Sequence, residues 1–377
     1  MSNELSQNIR SGLVAAPYVC AGKPPRIGYV PYTNDLSHPA DRRRFPLFAK
    51  ARGIEFEFAR PDRSYDAVIL SEIADLNTWT SYRQGKVIYD LIDSYLAIPR
   101  HDPKQLLRGL AWFAKGSQRR PILDFRGALE RMCRRADAVV CTTSEQRQMI
   151  LNFCSNVHVV LDMHTELISL AKTDYRASPP FKLVWEGMPS NVYQLKTISS
   201  ALRRVAKTFP IQLVLVTDLD QSHTIPWLGK VRTDRLANRI FEDIKICEWS
   251  AGTWASTITR CDVAIIPIDL KNPLTSGKPG NKLALLWRAG MPVITSATPA
   301  YERMQKEVGL CQLSCRSESD WISALQFLLS SESQRRRAGL RGRDYVTREL
   351  SRATQLDAWD NVLASVGIKR IGETART

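Results

Sequence analysis

The stretch that decides the fold is SGKPGNKLALLWRAGMPVIT, residues 276–295. A loop of small, polar and basic residues opens an apolar helix, which ends near Gly290 before an apolar strand-like run. The first backbone N–H groups of a helix lack partners within the helix and carry the positive end of its dipole. Because Lys278, Asn281 and Lys282 stand at this helix start, the stretch predicts a site for a phosphate or diphosphate. The alternative is a solvated loop with ordinary surface lysines.

Apolar runs of strand length alternate with helical patterns along most of the chain. The runs are continuous, as in strands that helices cover on both faces of a parallel sheet. This alternation predicts α/β architecture with doubly wound sheets. The predicted strands are 26–32, 66–71, 86–93, 137–144 and 157–162, followed by 181–187, 211–218, 244–249, 262–268 and 292–297.

A polar stretch with two prolines, residues 171–182, interrupts the pattern and predicts a linker between two Rossmann-like domains. The C-terminal stretch 331–366 has the pattern of two helices. The predicted organisation is a partly disordered N-terminus over 1–22, a domain over 23–172, a second over 180–348, and a C-terminal helical segment over 349–377 that returns to the first domain.

The charge balance points to an acidic partner. The chain has 377 residues, a formal net charge of +15 and 44% hydrophobic residues. Such a balance is typical of proteins that meet nucleic acid, an anionic membrane or phosphorylated substrates. No apolar run reaches the roughly 18 residues of a membrane-spanning helix, and the eight cysteines form no CxxC pair. We therefore expect a cytoplasmic protein with reduced thiols.

A segment over 104–120 combines apolar and basic residues. Leu106, Leu107, Leu110 and Phe113 recur at helical spacing, with lysines and arginines beside them. This pattern predicts an interfacial helix on an anionic membrane surface. An ordinary amphipathic helix that packs on the sheet is the alternative.

Ligands of open α/β sheets bind beyond the carboxyl ends of the strands. We therefore expect phosphate-binding groups in the loops after residues 187 and 268, and a second anion-binding group in the basic stretch that follows the first strand. The first set is Gly187, Asn191, Lys196, Ser276, Gly277, Lys278, Asn281 and Lys282, and the second is His38, Asp41, Arg42, Arg43 and Arg44.

Three blocks of the chain resemble nucleotide-sugar glycosyltransferases with the GT-B fold, in particular the large retaining family of glycosyltransferase group 1 and family 4-like proteins. ADAVVCTTSEQRQMIL, residues 136–151, is similar to the last strand of that family's N-terminal domain. KLVWEGMPSNVYQLKTISSALRRVA, residues 182–206, is similar to the opening of its donor domain. RCDVAIIPI and KPGNKLALLWRAGMPVITS, within residues 260–296, resemble its most diagnostic block.

The resemblance implies two Rossmann-like domains that face a central cleft, with the donor bound by the C-terminal one. It implies a hexosyltransferase of the retaining, metal-independent type, with a nucleotide diphosphate sugar as co-substrate and no cofactor. By position, Lys196 matches the family's donor-phosphate lysine. The chain departs from the family at Gly277 and Leu285, which stand where two glutamates are usual, and at Asn191, where an arginine is usual.

The same resemblance suggests a glycan or lipid-linked acceptor and a role in cell-surface polysaccharide synthesis at the inner face of the membrane. His38, Asp41 and Arg42–Arg44 would bind the phosphates of that acceptor, and a solvated basic helix start is the alternative.

Among the candidate catalytic residues, Lys196 and Lys282 would neutralise the departing diphosphate. Asp93 and His164 are candidates on the acceptor side, although Asp93 also fits a turn carboxylate.

Three other functions remain open from the sequence. The missing glutamates also fit a non-catalytic GT-B-like protein that binds sugar nucleotides, and a GT-B epimerase is a further alternative. A nucleic-acid-binding protein would explain the charge. The chain, however, has no RNA-binding aromatic pair, zinc-finger spacing or basic tail, so we expect no nucleic-acid partner.

Overall fold

The structure is a computed structural model, and it describes residues 18–163, 168, 170–222 and 230–371. The described residues divide into two compact units. The first contains the described residues up to Met163 together with those from Gln355 onward, and the second contains the described residues between them.

The first unit is built from short strands that alternate with helices. Its strands are β1 (Tyr18–Val19), β2 (Ile27–Val30), β3 (Glu57–Phe58), β4 (Ala67–Ser71), β5 (Lys86–Asp90), β6 (Ala138–Cys141) and β7 (Val157–Val159). Its helices are α1 (Pro39–Arg43), α2 (Phe45–Arg52), α3 (Leu76–Ser81), α4 (Lys104–Ala114), α5 (Phe125–Arg135) and α6 (Ser144–Ile150), with a 3-10 turn at Tyr95–Ala97.

Six of these strands form a parallel sheet in the order β3-β2-β4-β5-β6-β7. The strand order reverses between β2 and β4. Strands β4 and β6 are apolar apart from Ser71 at the end of β4, and every residue of both is buried. Continuous apolar runs therefore have the expected cause, which is burial on both faces of the sheet.

The second unit repeats this plan. Its strands are β8 (Phe181–Glu186), β9 (Ile211–Thr217), β10 (Asp220–Ser222), β11 (Lys230–Arg232), β12 (Ile244–Glu248), β13 (Val263–Ile266), β14 (Val293–Ser296) and β15 (Ser314–Cys315). Its helices are α7 (Ser199–Ala206), α8 (Thr233–Ala237), α9 (Trp254–Thr259), α10 (Pro273–Ser276), α11 (Asn281–Arg288), α12 (Pro299–Glu307), α13 (Glu318–Leu329) and α14 (Glu332–Glu349), with 3-10 helices at Pro189–Ile198 and Cys311–Leu313.

The sheet of the second unit is also parallel and has the order β12-β9-β8-β13-β14-β15. Here the order reverses between β8 and β13. Two apolar clusters cover its faces, one around α7 and α13 and the other around α9 and α11. In the second cluster Trp287 is fully buried.

The chain closes on the first unit. Helix α15 (Arg352–Ser365) packs Trp359 against Phe45 and Phe48, and strand β16 (Lys369–Arg370) pairs antiparallel with β1. Tyr18 lies within the N-terminal stretch predicted to be partly disordered, yet it is buried and donates a hydrogen bond to Asp360. The other residues of that stretch up to 17 lie outside the described residues.

All ten predicted strands are present, and the α/β prediction with doubly wound sheets is confirmed. The observed strands are shorter than the predicted runs. The strands absent from the prediction, β1, β3, β10, β11, β15 and β16, have only two or three residues each, which is too short for a periodic signal.

Candidate functional site

The reversal of strand order in the second sheet identifies the edge at which to look for a ligand. Strands β8 and β13 are neighbours there, and the chain leaves both at their carboxyl ends. The loop after β8 begins at Gly187, and the loop after β13 leads through α10 to the start of α11. Open parallel sheets bind ligands at such reversals. The predicted phosphate-binding segments therefore lie at the favoured edge of this unit.

Lys282 connects the two segments. It is the second residue of α11, and its Nζ donates a hydrogen bond to the carbonyl oxygen of Glu186 at 2.5 Å. The same Nζ lies 3.5 Å from Glu186 Oε2 and 5.5 Å from the centre of the Trp185 ring. The Lys282 side chain remains 29% exposed. An ammonium group has three N–H donors, so this arrangement fixes the cation at the edge while leaving hydrogen-bonding capacity.

Gly187 makes this close approach possible. A Cβ atom built on it would lie 2.8 Å from the Trp185 ring and 3.0 Å from Lys282 Nζ. Real Cβ atoms do not approach ring carbons that closely, so a larger residue would displace the ring or the lysine. The position therefore requires glycine for space, and its backbone N–H donates to the carbonyl oxygen of Val216.

The amino end of α11 has no side-chain cap, and Gly280 occupies the N-cap position. Gly280 is buried, and a Cβ there would lie 2.2 Å from the sulfur of Met304. Helix α12, which carries Met304, thus packs directly against the turn that starts α11. The dipole of α11 adds partial positive charge where Lys282 already lies.

Gln194 ties the two loops together at a second point. Its side chain is buried, and its Oε1 accepts a hydrogen bond from the backbone N–H of Asp269 at 2.6 Å. The hydroxyl of Thr275 donates to the carbonyl oxygen of Asp269. The 3-10 helix Pro189–Ile198 is thereby fixed to the loop that precedes α11.

The structure brings some of the predicted donor residues together and leaves others at the margin. Lys196 is exposed near the end of the 3-10 helix, and none of the described residues forms an ion pair with it. Its position beside Lys282 is therefore a prediction that rests on sequence alone. The remaining predicted donor residues are half-buried: Asn191, Ser276, Gly277, Lys278 and Asn281.

Thr217 is a polar group at this edge that the sequence reasoning missed. It ends β9, is 1% exposed, and its hydroxyl has no hydrogen-bond partner among the residues that the structure describes. A buried hydroxyl without a partner is costly unless a ligand or water satisfies it.

In the first unit, Arg44 was predicted to hold acceptor phosphates, and the structure contradicts this. The side chain is 1% exposed. It forms a two-pronged pair with Asp90, with both N–O distances 2.6 Å, and a third contact of 3.0 Å with Asp162. Arg42 and Arg43 end α1, whereas Arg44 lies in the break between α1 and α2 with a non-helical backbone, so the three arginines do not share one face. Arg42 is exposed and Arg43 half-buried, while Arg44 points into the core.

Asp41 and His38 both have local roles, and contact of the exposed His38 with an acceptor stays a prediction. Asp41 is fully buried, and its carboxylate accepts hydrogen bonds from the hydroxyl of Tyr29 and the backbone N–H groups of Tyr32 and Thr33. His38 caps α1 through Nδ1 and stacks on Tyr32. Both residues shape the loop after β2, and burial lowers the pKa of His38.

Asp93 lies in a loop that a second carboxylate organises. Oε2 of Glu72 accepts hydrogen bonds from the backbone N–H groups of Ile92 and Asp93, at 3.0 and 2.8 Å. Glu72 follows β4 and is 6% exposed. Burial raises its pKa to about 8, and the nearby carboxylates of Asp93 and Asp90 add to the effect. The sequence reasoning considered Asp93 and missed Glu72, which its place directly after a buried strand could have indicated.

His164, the remaining catalytic candidate, lies outside the described residues. Over the described ranges, no three histidine, cysteine, aspartate or glutamate side chains are grouped as metal ligands would be. None of the helices in those ranges is long and apolar enough to cross a bilayer.

No family model matches the chain, and a search of curated proteins finds no significant match. Solved structures do match. TarM aligns with a TM-score of 0.52 at 8% identity, over 78% of this chain and 54% of TarM.

Two further matches are trehalose-phosphate synthases from Burkholderia. The α,α-trehalose 6-phosphate synthase of Burkholderia multivorans aligns with a TM-score of 0.51 at 14% identity, over 82% of this chain and 70% of that one. The UDP-forming synthase of Burkholderia xenovorans gives a TM-score of 0.50 at 13% identity, over 82% and 74%.

The chain thus spans about half the length of TarM. At these identities the likeness concerns the fold, and it agrees with the two parallel six-stranded sheets. The chain has the GT-B fold.

Proposed function

We propose that this protein is a glycosyltransferase that moves a sugar from a nucleotide diphosphate sugar to a glycan or lipid-linked acceptor, in the synthesis of cell-surface polysaccharide. One observation carries the proposal. Lys282 is held at the strand-order reversal of the second sheet, at the start of an uncapped helix and beside a glycine that leaves room for it.

The chemistry of glycosyl transfer suits this arrangement. The bond between the sugar and the diphosphate breaks while negative charge grows on the departing diphosphate. A fixed ammonium group and a helix start stabilise that charge without reorganising. Lys196 and Lys278 would add charge, and Asn281 would bind phosphate or ribose by hydrogen bonds. We further propose that the reaction needs no metal, because these cations can take the place of a metal at the diphosphate. We propose retention of the anomeric configuration because the sequence resembles the retaining family.

A panel of nucleotides tests the donor site directly. Thermal stability of the protein is measured with UDP, GDP, ADP and their sugars, and we expect one family to raise the melting temperature. Lys282→Ala should weaken affinity for that nucleotide by about 10- to 100-fold, since a charge-assisted contact is lost. Lys207→Ala is the matched control, because Lys207 is an exposed lysine of the same unit.

Two results would reject the site. Either no nucleotide stabilises the protein, or the two lysine variants weaken binding equally. Release of free nucleotide diphosphate from the sugar donor then separates a transferase from the non-catalytic binder. The latter stays a second candidate because Gly277 and Leu285 replace two glutamates usual in the family that the sequence resembles.

We also propose that the protein binds the cytoplasmic face of an anionic membrane through α4. The four apolar residues at helical spacing are all exposed: Leu106, Leu107, Leu110 and Phe113. The opposite side of the helix is fixed in the first unit, where Trp112 packs on Tyr95 and Phe125. An ordinary surface helix turns its apolar stripe toward the core, whereas the apolar stripe of α4 faces outward.

The surroundings of α4 favour a lipid surface. Leu123, in the following loop, is a further apolar side chain with 71% exposure. Lys104, Lys115 and Arg119 are exposed on the same segment. Apolar side chains flanked by cations bind bilayers that carry anionic lipid.

Vesicle sedimentation tests this part of the proposal. We expect binding to vesicles containing phosphatidylglycerol, weaker binding to pure phosphatidylcholine, and weakening by salt. Leu107→Asp should reduce binding several-fold. Leu340→Asp is the control, because Leu340 is an exposed leucine of the other unit. Equal binding by both variants would contradict a role for α4.

A further inference from the structure

A groove lined by arginines lies at the opposite edge of the first sheet from the loops discussed above. It has a volume of about 790 Å³ and lies where β4, β5 and β6 begin, at their amino ends. The ends of α3 and α5 form its other side. We call it the arginine groove, and its charged lining residues are Asp66, Arg83, Lys86, Arg131, Arg134, Arg135 and Asp137.

The charges of the arginine groove are unbalanced, with five cations facing two carboxylates. Asp137 is shared by Lys86 and Arg135, at 3.0 and 3.2 Å. Asp66 accepts a hydrogen bond from the backbone N–H of Arg26 at 2.7 Å. The carboxylates therefore leave most of the positive charge uncompensated, and like charges confined to one groove repel each other.

Two of the arginines have a structural task that explains their presence. Arg135 donates to the carbonyl oxygens of Tyr82 and Gly85. Arg83 donates to the carbonyl oxygens of Thr80 and Tyr82. Cations at the ends of helices often bind carbonyl groups that lack partners in this way.

Arg131 and Arg134 have no such task. Neither forms a hydrogen bond or an ion pair with any residue in the described ranges, and both are exposed in the last turns of α5. Arg134 lies over the ring of Phe153, which orients its guanidinium group at little cost. The negative end of the α5 dipole amounts to about half a charge, so it does not cancel these cations.

We propose that the arginine groove binds an anion with clustered phosphate groups, with Arg131 and Arg134 as its principal ligands. Guanidinium groups match phosphate oxygens with two parallel hydrogen bonds. The volume exceeds that of a single phosphate and lies in the range of ordinary ligand sites. The groove is built within the first unit alone, so the proposal does not depend on the glycosyltransferase reaction.

The phosphate groups could belong to a soluble molecule or to lipid headgroups, and two probes separate these sources. Binding of inorganic pyrophosphate is measured by calorimetry at low salt, and vesicle sedimentation is measured with phosphatidylglycerol against phosphatidylcholine. The double variant Arg131→Gln, Arg134→Gln is compared with Arg336→Gln, Arg337→Gln. The latter removes two exposed arginines from α14.

We expect the Arg131→Gln, Arg134→Gln variant to lose roughly tenfold in affinity for at least one probe. The affinities of the Arg336→Gln, Arg337→Gln control should equal those of the parent protein. Loss for pyrophosphate indicates a soluble ligand, and loss for vesicles alone indicates lipid headgroups. Equal effects of the two double variants on both probes, or no binding of either probe, would overturn the proposal. Should the double variant not fold, Arg131→Glu alone provides the same comparison, because Arg131 has no described partner.

Discussion

Each unit holds a basic side chain against the last residue of a central strand, yet the two arrangements differ. In the first unit Arg44 contacts Asp90 at the end of β5, and both side chains are almost completely buried. In the second unit Lys282 contacts Glu186 at the end of β8, and its side chain is 29% exposed. Arg44 has carboxylate partners on two sides, whereas Lys282 is held mainly by one carbonyl oxygen.

The difference shows what separates a structural cation from a binding one. A guanidinium group surrounded by carboxylates inside the core has no capacity for a ligand. An ammonium group at the surface, anchored at one point, can still meet an anion. Both residues follow a predicted strand, so burial and the number of partners distinguish them rather than position in the sequence.

The largest effect should come from Arg44→Ala. It would leave the carboxylate of Asp90 buried without its partner, which typically costs about 3–5 kcal/mol. Urea unfolding of the first unit measures the loss. Arg60→Ala is the control, since Arg60 and Asp62 form an exposed pair, and no measurable change is expected. A small loss of unfolding free energy for Arg44→Ala would contradict the view that Arg44 is a structural cation.

Glu72→Gln should change how stability depends on pH. The folded pKa of Glu72 lies near 8, above its ordinary value of 4.5, so the folded state binds the proton more tightly. Stability should therefore fall as the pH rises between about 5 and about 8, by something on the order of 3 kcal/mol.

The variant keeps an oxygen for the N–H groups of Ile92 and Asp93 but cannot ionise, so this dependence should become flatter. Melting temperatures at pH 5, 6, 7 and 8 measure it. Glu55→Gln, at an exposed glutamate of the same unit, should keep the parent's slope. An unchanged slope for Glu72→Gln would mean that another group titrates.

Gly187→Ala tests the crowding around Lys282. The added methyl group would meet the Trp185 ring and Lys282 Nζ, and overpacking of this kind costs about 1–3 kcal/mol. The same change should weaken nucleotide binding. Gly252→Ala is matched to it, because the nearest atom would be 3.9 Å away. Stability and nucleotide binding can both be followed in one thermal-shift series. Equal results for Gly187→Ala and Gly252→Ala would show that the space around Gly187 is not restricted.

The smallest effect on stability should come from Lys282→Ala, at about 1 kcal/mol or less, because a partly exposed ion pair contributes little. Urea unfolding of the second unit, with Lys207→Ala alongside, measures it. A loss as large as that of Arg44→Ala would show that Lys282 is a structural cation too.

The sequence predicted the strands because each is a continuous apolar run, and the loop before α11 because glycine, proline and lysine gather there. It could not predict which cations would be buried. Arg42, Arg43 and Arg44 are identical residues in sequence, and only the path of the backbone decides which of their side chains is buried. The role of Glu72 depends on N–H groups about twenty residues further along the chain. Pairings across such distances leave no periodic signal.

Helix α15 gives the fold an order of assembly. Trp359 covers Phe45 and Phe48, and β16 pairs with β1, so the first unit contains stretches from both sides of the second. During synthesis on the ribosome, the second unit can therefore complete its own core before the last helix of the first unit is made. A nascent chain that stops before Gln355 exposes two phenylalanines, and such surfaces recruit chaperones or aggregate.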